Sequence, residues 1–181
     1  MKDTRERLSA VTVGLHWLVA AAIIGMLAFG LYIEDMERGP DKGTMMDLHK
    51  SIGVTILALA ALRILWRWRN GFPVALSAMP RWQHIAAHAV HGLLLLATVL
   101  MPLTGIMISL GGGHGLPLFG LTLVAEGATK LEILKTIGES HGTIAWILIG
   151  VIAVHVLAAA KHQVIDRDGT LRRMLGRRVG G

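Results

Sequence analysis

Cysteine is absent from the 181 residues, which excludes a disulfide framework, a thiolate nucleophile, an iron–sulfur cluster and a zinc–thiolate site. Charge is scarce too. Asp, Glu, Lys and Arg make up 17% of the chain against 53% hydrophobic residues, at a mean hydropathy of +0.57, a balance too apolar for an ordinary soluble domain. The sequence also lacks internal repeats, a phosphate-binding glycine loop, a nucleophile elbow and paired catalytic carboxylates. It is rich instead in long apolar runs and in nine histidines, so any bound metal depends on imidazoles or carboxylates.

The apolar runs divide the chain into four spans, expected at about 11–33, 47–66, 83–110 and 141–164, each long enough to cross a bilayer as a helix. Val11 to Ile33 is a run of 23 residues without Asp, Glu, Lys or Arg, too long and too poor in a cleavage signal for a secretory leader. Glu34 to Thr44, with charges of both signs and Gly39, Pro40 and Gly43, has the composition of a loop. Arg63, Trp66, Arg67, Trp68 and Arg69 close the second span with a mixture suited to the headgroup interface. Pro102 falls inside the third span, where a kink is expected. Leu131, Leu134 and Ile137 recur at helical spacing among charges, which predicts a surface helix over about 126–139. The segment 116–123, LPLFGLTL, reads either as a re-entrant turn or as a plain loop. The fold class is therefore all-α, an integral membrane bundle of four transmembrane helices in one domain covering 1–181.

Charge sets the orientation. With the N-terminus cytoplasmic, thirteen of the eighteen Lys and Arg residues and four of the twelve acids fall inside, leaving +9 there and −3 outside. This distribution predicts both termini in the cytoplasm. It also accounts for the net charge of +6 and the pI near 10.3 as a topology signal, so no nucleic-acid partner is expected.

With the spans placed, His16 lies in span one near its inner end, and His49 at the outer start of span two. His141 opens span four and His155 follows fourteen residues on, about 21 Å along a helix and about 40° from perfect alignment. His49 thus faces His141 at the outer level and His16 faces His155 at the inner level. Two such pairs suit two bis-histidine haems, which need imidazoles on both sides of each ring, a slot lined by small residues and cations for the propionates. Gly14, Ala20, Gly25, Gly53, Gly150 and Ala153 are candidates for the slot, and Arg63 and Arg67 for the inner propionates. A histidine that merely hydrogen-bonds across the bundle is the plain alternative for any one position. Two pairs at matched depth are harder to explain that way, because polar groups in hydrocarbon are costly and usually mark function.

The strings GLHWLVAA around His16, DLHKSIG around His49, HAVHG in span three, LPLFGLTL, and His141 and His155 fourteen apart together resemble the bacterial cytochrome b561 family over nearly the whole chain. The resemblance implies a di-haem b protein of the bacterial inner membrane, with His16 and His155 on the inner haem iron and His49 and His141 on the outer. It implies exchange of electrons with ubiquinone, with His162 at the quinone, and support of haem or propionates by His88 and His91. Some members resemble superoxide oxidases, so superoxide outside is one expected donor. Lys50, Lys130 and Lys135 would guide that anion across the acidic outer face, whereas the same acidity suits a basic soluble carrier. Two other classes remain open: an electron-transfer and anchor subunit of a larger dehydrogenase or hydrogenase, and a transporter or proton channel using the histidines directly. Most of the five tryptophans read as an interfacial belt, with Trp146 the one candidate for a haem pocket.

Overall fold

The computed structural model describes residues 3–76, 78–128 and 130–180. Four of its helical segments are long and apolar enough to cross a membrane, Ala10–Asp35, Pro40–Asn70, Arg81–Gly111 and Glu132–Asp166.

Helix α1 (Ala10–Asp35) starts where the Ser9 hydroxyl accepts from the Thr12 amide at 3.2 Å, the usual way of satisfying a free first-turn donor. Helix α2 (Pro40–Asn70) has Pro40 in its first turn and Asp41 beside it, where a missing amide costs nothing and a negative charge meets the helix dipole. The sequence reading put this start at about 47. The connection from α1 is instead only residues 36–39, because proline and acid begin a helix rather than prolong a loop. Gly71, at φ 73°, ends α2 in a conformation that favours glycine.

Helix α3 (Arg81–Gly111) contains Pro102, which leaves the Thr98 carbonyl without its amide donor. Strands β1 (Leu116–Leu118) and β2 (Leu121–Val124) then pair antiparallel, with Leu118 opposite Leu121. LPLFGLTL is therefore a hairpin, neither of the two forms expected from sequence. Its two-residue turn, Phe119 and Gly120, has φ 48° and 89°, and positive φ at both positions matches the twist of tight hairpins. The Ser51 hydroxyl of α2 accepts from the Phe119 amide at 3.1 Å and lies 3.3 Å from the Pro117 carbonyl, which pins the hairpin to the bundle.

Helix α4 (Glu132–Gly138) covers the second half of the surface helix expected at 126–139, since the chain up to Gly127 is still leaving the hairpin. It lies across the end of α3. A Cβ on Gly111 would collide with the backbone of Lys135, and one on Gly138 with Ile108, so the close crossing depends on both glycines. Helix α5 (Ser140–Lys161) follows, then a π-helical turn (His162–Asp166) and helix α6 (Thr170–Met174).

The core is a thin layer at mid-bundle, where Val19 and Ile23 of α1 meet Ile56 of α2 and Leu148 of α5. Much of the apolar surface faces outward, with Ile24, Leu62 and Leu157 more than half exposed, as helices in lipid require.

Both termini lie at one end of the bundle and are tied together there. The Arg173 guanidinium donates to the carbonyls of Arg5 and Val74, both at 2.9 Å. The Val179 amide donates to the Glu6 carbonyl at 3.0 Å, and Arg178 pairs with the Glu6 carboxylate. Deeper in, the Asp3 carboxylate accepts from the Ser9 amide at 2.8 Å and from the Thr12 hydroxyl, and pairs with Arg67 at 3.1 Å. Burial alone raises the Asp3 carboxyl, but these donors outweigh it and hold it below its ordinary 3.8.

That depression has a defined sign. A carboxyl with a lowered folded pKa stabilises fully above its unfolded value, and the contribution is lost as pH falls through the folded one. The solubilised protein should thus lose thermal stability below about pH 4 in part through this group. Asp3→Asn, which leaves the buried Arg67 without its counter-ion, should cost about 3 kcal/mol at neutral pH. A melting temperature unchanged in that variant would show that Arg67 is not held by Asp3.

Candidate functional site

The end of the bundle opposite the termini, the hairpin end, holds the first pair of histidines. His49 comes from α2 and His141 from the first turn of α5, with ring centroids 6.2 Å apart and planes at 79°. Each ring rests on a glycine of a neighbouring helix. A Cβ on Gly30 of α1 would stand 3.3 Å from Cε1 of His49, and one on Gly105 of α3 would stand 3.2 Å from Cε1 of His141. A side chain at either glycine would therefore press on the imidazole. Phe29 stacks beside His49 with centroids 5.9 Å apart, and Nδ1 of His141 lies 3.1 Å from the Thr104 hydroxyl.

The second pair lies at the termini end, on the far side of the Val19, Ile23, Ile56 and Leu148 layer. His16 of α1 faces His155 of α5 with centroids 6.4 Å apart and planes at 62°. Arg63 of α2 donates to Nδ1 of His16 at 3.1 Å. Guanidinium has no acceptor, so a neutral His16 held this way carries its proton on Nε2. To hold a metal through Nε2, His16 would have to carry its proton on Nδ1 instead, with Arg63 moved off that nitrogen. His91 of α3 joins this pair, its ring centroid 5.3 Å from that of His155.

The group that the sequence resemblance implies can be tested against this geometry. Two imidazoles that shared one metal ion, with bonds of about 2 Å and roughly 1 Å from each nitrogen to its ring centre, would have centroids about 6 Å apart. Both pairs match. Among the described residues no three His, Cys, Asp or Glu side chains gather as a bare ion would require. Two-nitrogen pairs instead suit a group that brings its own equatorial donors, as haem does. The residues fit it at both ends.

The remaining sequence candidates are placed differently from one another. His88 stacks on His84 at 4.7 Å and has no ring contact with the pair. Arg67 is committed to Asp3 and to the Gly71 carbonyl at 3.0 Å. His162 opens the π-helical turn, with Nδ1 2.8 Å from the Asp168 carboxylate and 3.1 Å from that of Asp166. Lys50 is drawn onto the His114 carbonyl and Asp47, each at 3.2 Å. Trp146 is 62% exposed, facing away from the bundle. Gly30, Thr104 and Gly105 escaped the sequence reading. Their only signal there is a small residue inside an apolar run, which in membrane helices marks close approach.

The family described as "Prokaryotic cytochrome b561" matches residues 7–177. The chain is 31% identical to "Cytochrome b561 homolog 2" of Escherichia coli (strain K12), over 97% of this chain and 94% of that protein. It is 29% identical to "Cytochrome b561 homolog 1" of the same organism, over 96% and 99%. It is also 27% identical to "Probable superoxide oxidase CybB" of Yersinia pestis, over 97% and 99%.

The glycine seats generate a direct test. Gly105→Val should push the His141 ring out of line with His49 and lower the haem content of the purified protein, whereas Gly105→Ala, which needs the ring to give by only a few tenths of an ångström, should lower it less. A haem content unchanged in Gly105→Val would disprove the seat.

Proposed function

Because the chain belongs to the prokaryotic cytochrome b561 family, a family of haem b electron-transfer proteins of the membrane, we propose that it binds two haems b and moves electrons through the bilayer from a donor outside to ubiquinone. The observation that carries this is the recurrence of one geometry at two depths: centroid separations of 6.2 and 6.4 Å at opposite ends of the bundle. His49 and His141 are the ligands at the hairpin end, and His16 and His155 at the termini end.

Bound at these pairs, haem supplies a reversible one-electron iron couple at each end of α5. The protein supplies everything else. The four imidazoles fix position and spin state, and Arg63 offers a cation to the propionates once it leaves His16. His91 packs against His155 and restricts its rotation, with His88 and His84 beyond it on α3. The mid-bundle apolar layer keeps water from joining the two ends.

Outside, superoxide is the donor best supported, on the 27% identity to the Yersinia protein. Superoxide gives one electron and leaves as oxygen. Ubiquinone takes two electrons and two protons, so two donor events accompany each quinol. His162, held between Asp166 and Asp168 next to Lys161 and Arg167, is the proton-holding group on the side where the quinone is reduced. The thirteen basic residues of the termini end support a cytoplasmic face there and a place in the bacterial inner membrane, among lipids whose headgroups suit them. The net −3 of the other face favours a second reading, an anchor subunit that docks a basic partner. Superoxide-driven ubiquinone reduction by the chain purified alone decides for the first reading, and its failure unless a partner co-purifies decides for the second.

Two outcomes follow. A pyridine haemochrome assay should count two haems per chain, and His141→Ala should leave one; one or none in the unaltered protein defeats the proposal. His162→Ala should keep both haem spectra and slow quinone-dependent reoxidation by at least about 10-fold. Unaltered reoxidation would move the quinone to another site.

A further inference from the structure

The two ends treat their histidines in opposite ways. Thr104 is 4% exposed, and its hydroxyl donates its one hydrogen to its own helix, with the Leu100 carbonyl at 2.8 Å and the Met101 carbonyl at 3.0 Å. Its oxygen is then an acceptor toward Nδ1 of His141 at 3.1 Å. His141 therefore carries its proton on Nδ1 and keeps the Nε2 lone pair free. The seat on Gly105 agrees, since Cε1 and Nδ1 stand 3.2 and 3.4 Å from the Cβ position there and Nε2 stands further off, at 4.0 Å.

Among the described residues no other histidine of the two pairs has this support. Nδ1 of His49 is buried without a partner, and Nδ1 of His16 accepts from Arg63. A ligand imidazole that donates its second N–H is more basic and is fixed in orientation, and both effects tune the metal it binds. A cation beside a ligand acts in the opposite sense, because it favours the reduced, less positive iron.

We propose that Thr104 is a positioning residue that holds His141 in the tautomer able to ligate iron, tightening haem binding at the hairpin end and lowering the reduction potential there relative to the termini end. This rests on the bis-histidine reading. Its consequence is a built-in slope: the electron enters where the ligand is most basic and leaves where a guanidinium stands beside the pair.

The experiment is a spectroelectrochemical titration of the purified holoprotein, with His141→Ala identifying the midpoint of the hairpin end. Thr104→Val keeps the size of the side chain and removes the acceptor. It should raise that midpoint, leave the other in place, and weaken haem retention at that end by about 10-fold or more. Thr104→Ser should restore both. If the valine variant does not fold, Thr104→Cys, whose sulfur is a weak acceptor, reads the same two quantities. Two haems and unmoved midpoints in the valine or cysteine variant would overturn the role of Thr104 alone. An unaltered protein without a second haem would overturn the bis-histidine reading as well.

Discussion

An imidazole placed among lipid-facing helices must find partners for its nitrogens inside the bundle, and most of what is distinctive in this structure follows from doing so at two depths. Side chains of this size can face each other from α2 to α5, or from α1 to α5, only where the third helix gives way. Gly30 and Gly105 do this at the hairpin end, each bringing an imidazole to 3.3 and 3.2 Å from where a Cβ would stand. The apolar layer of Val19, Ile23, Ile56 and Leu148 can accordingly be thin. It separates two polar levels rather than filling one interior.

The two levels are secured by different means. At the hairpin end the fixing contacts are close backbone crossings and neutral hydrogen bonds: α4 against α3 through Gly111 and Gly138, the hairpin against Ser51, and Thr104 against His141. At the termini end they are charge-assisted, with Asp3 and Arg67, Arg178 and Glu6, and Arg173 on two carbonyls. Arg178 and Glu6 are exposed and contribute little, whereas the Asp3–Arg67 pair and Arg173 are buried, where losing one partner is expensive, so the chain ends are held in one register with the loop between α2 and α3. That register places Arg63, one turn before Arg67, against His16.

Much of this was legible in the sequence. Periodicity and hydropathy gave the four spans because lipid enforces long, uniformly apolar helices, and the fourteen-residue interval from His141 to His155 fixed two depths on one helix. Three things were not legible. The start of α2 was hidden by charges that suit a loop and a first helical turn equally. The hairpin rests on positive φ at Phe119, a residue type that gives no turn signal. The seats at Gly30 and Gly105 depend on which face of α1 and α3 meets a histidine of another helix. Local sequence does not encode this, because rotation about a helix axis in lipid is set by packing.

The polarity of the bundle gives its chemistry a direction on the proposed orientation. An electron entering beside His49 and His141 starts on the face of net −3 and moves toward the face of net +9, so the fixed charges of the protein favour its passage as well as any difference in ligand basicity. On the proposed function, reducing a quinone would also consume protons, drawn from the same basic side. There the His162 imidazole lies between the Asp166 and Asp168 carboxylates, with Lys161 on the same Asp166 carboxylate. The electron and the proton then arrive from opposite directions at one end of α5. Placing His162 in a π-helical turn, just past the last regular turn of that helix, carries this imidazole toward the end of the bundle while His155 stays within it.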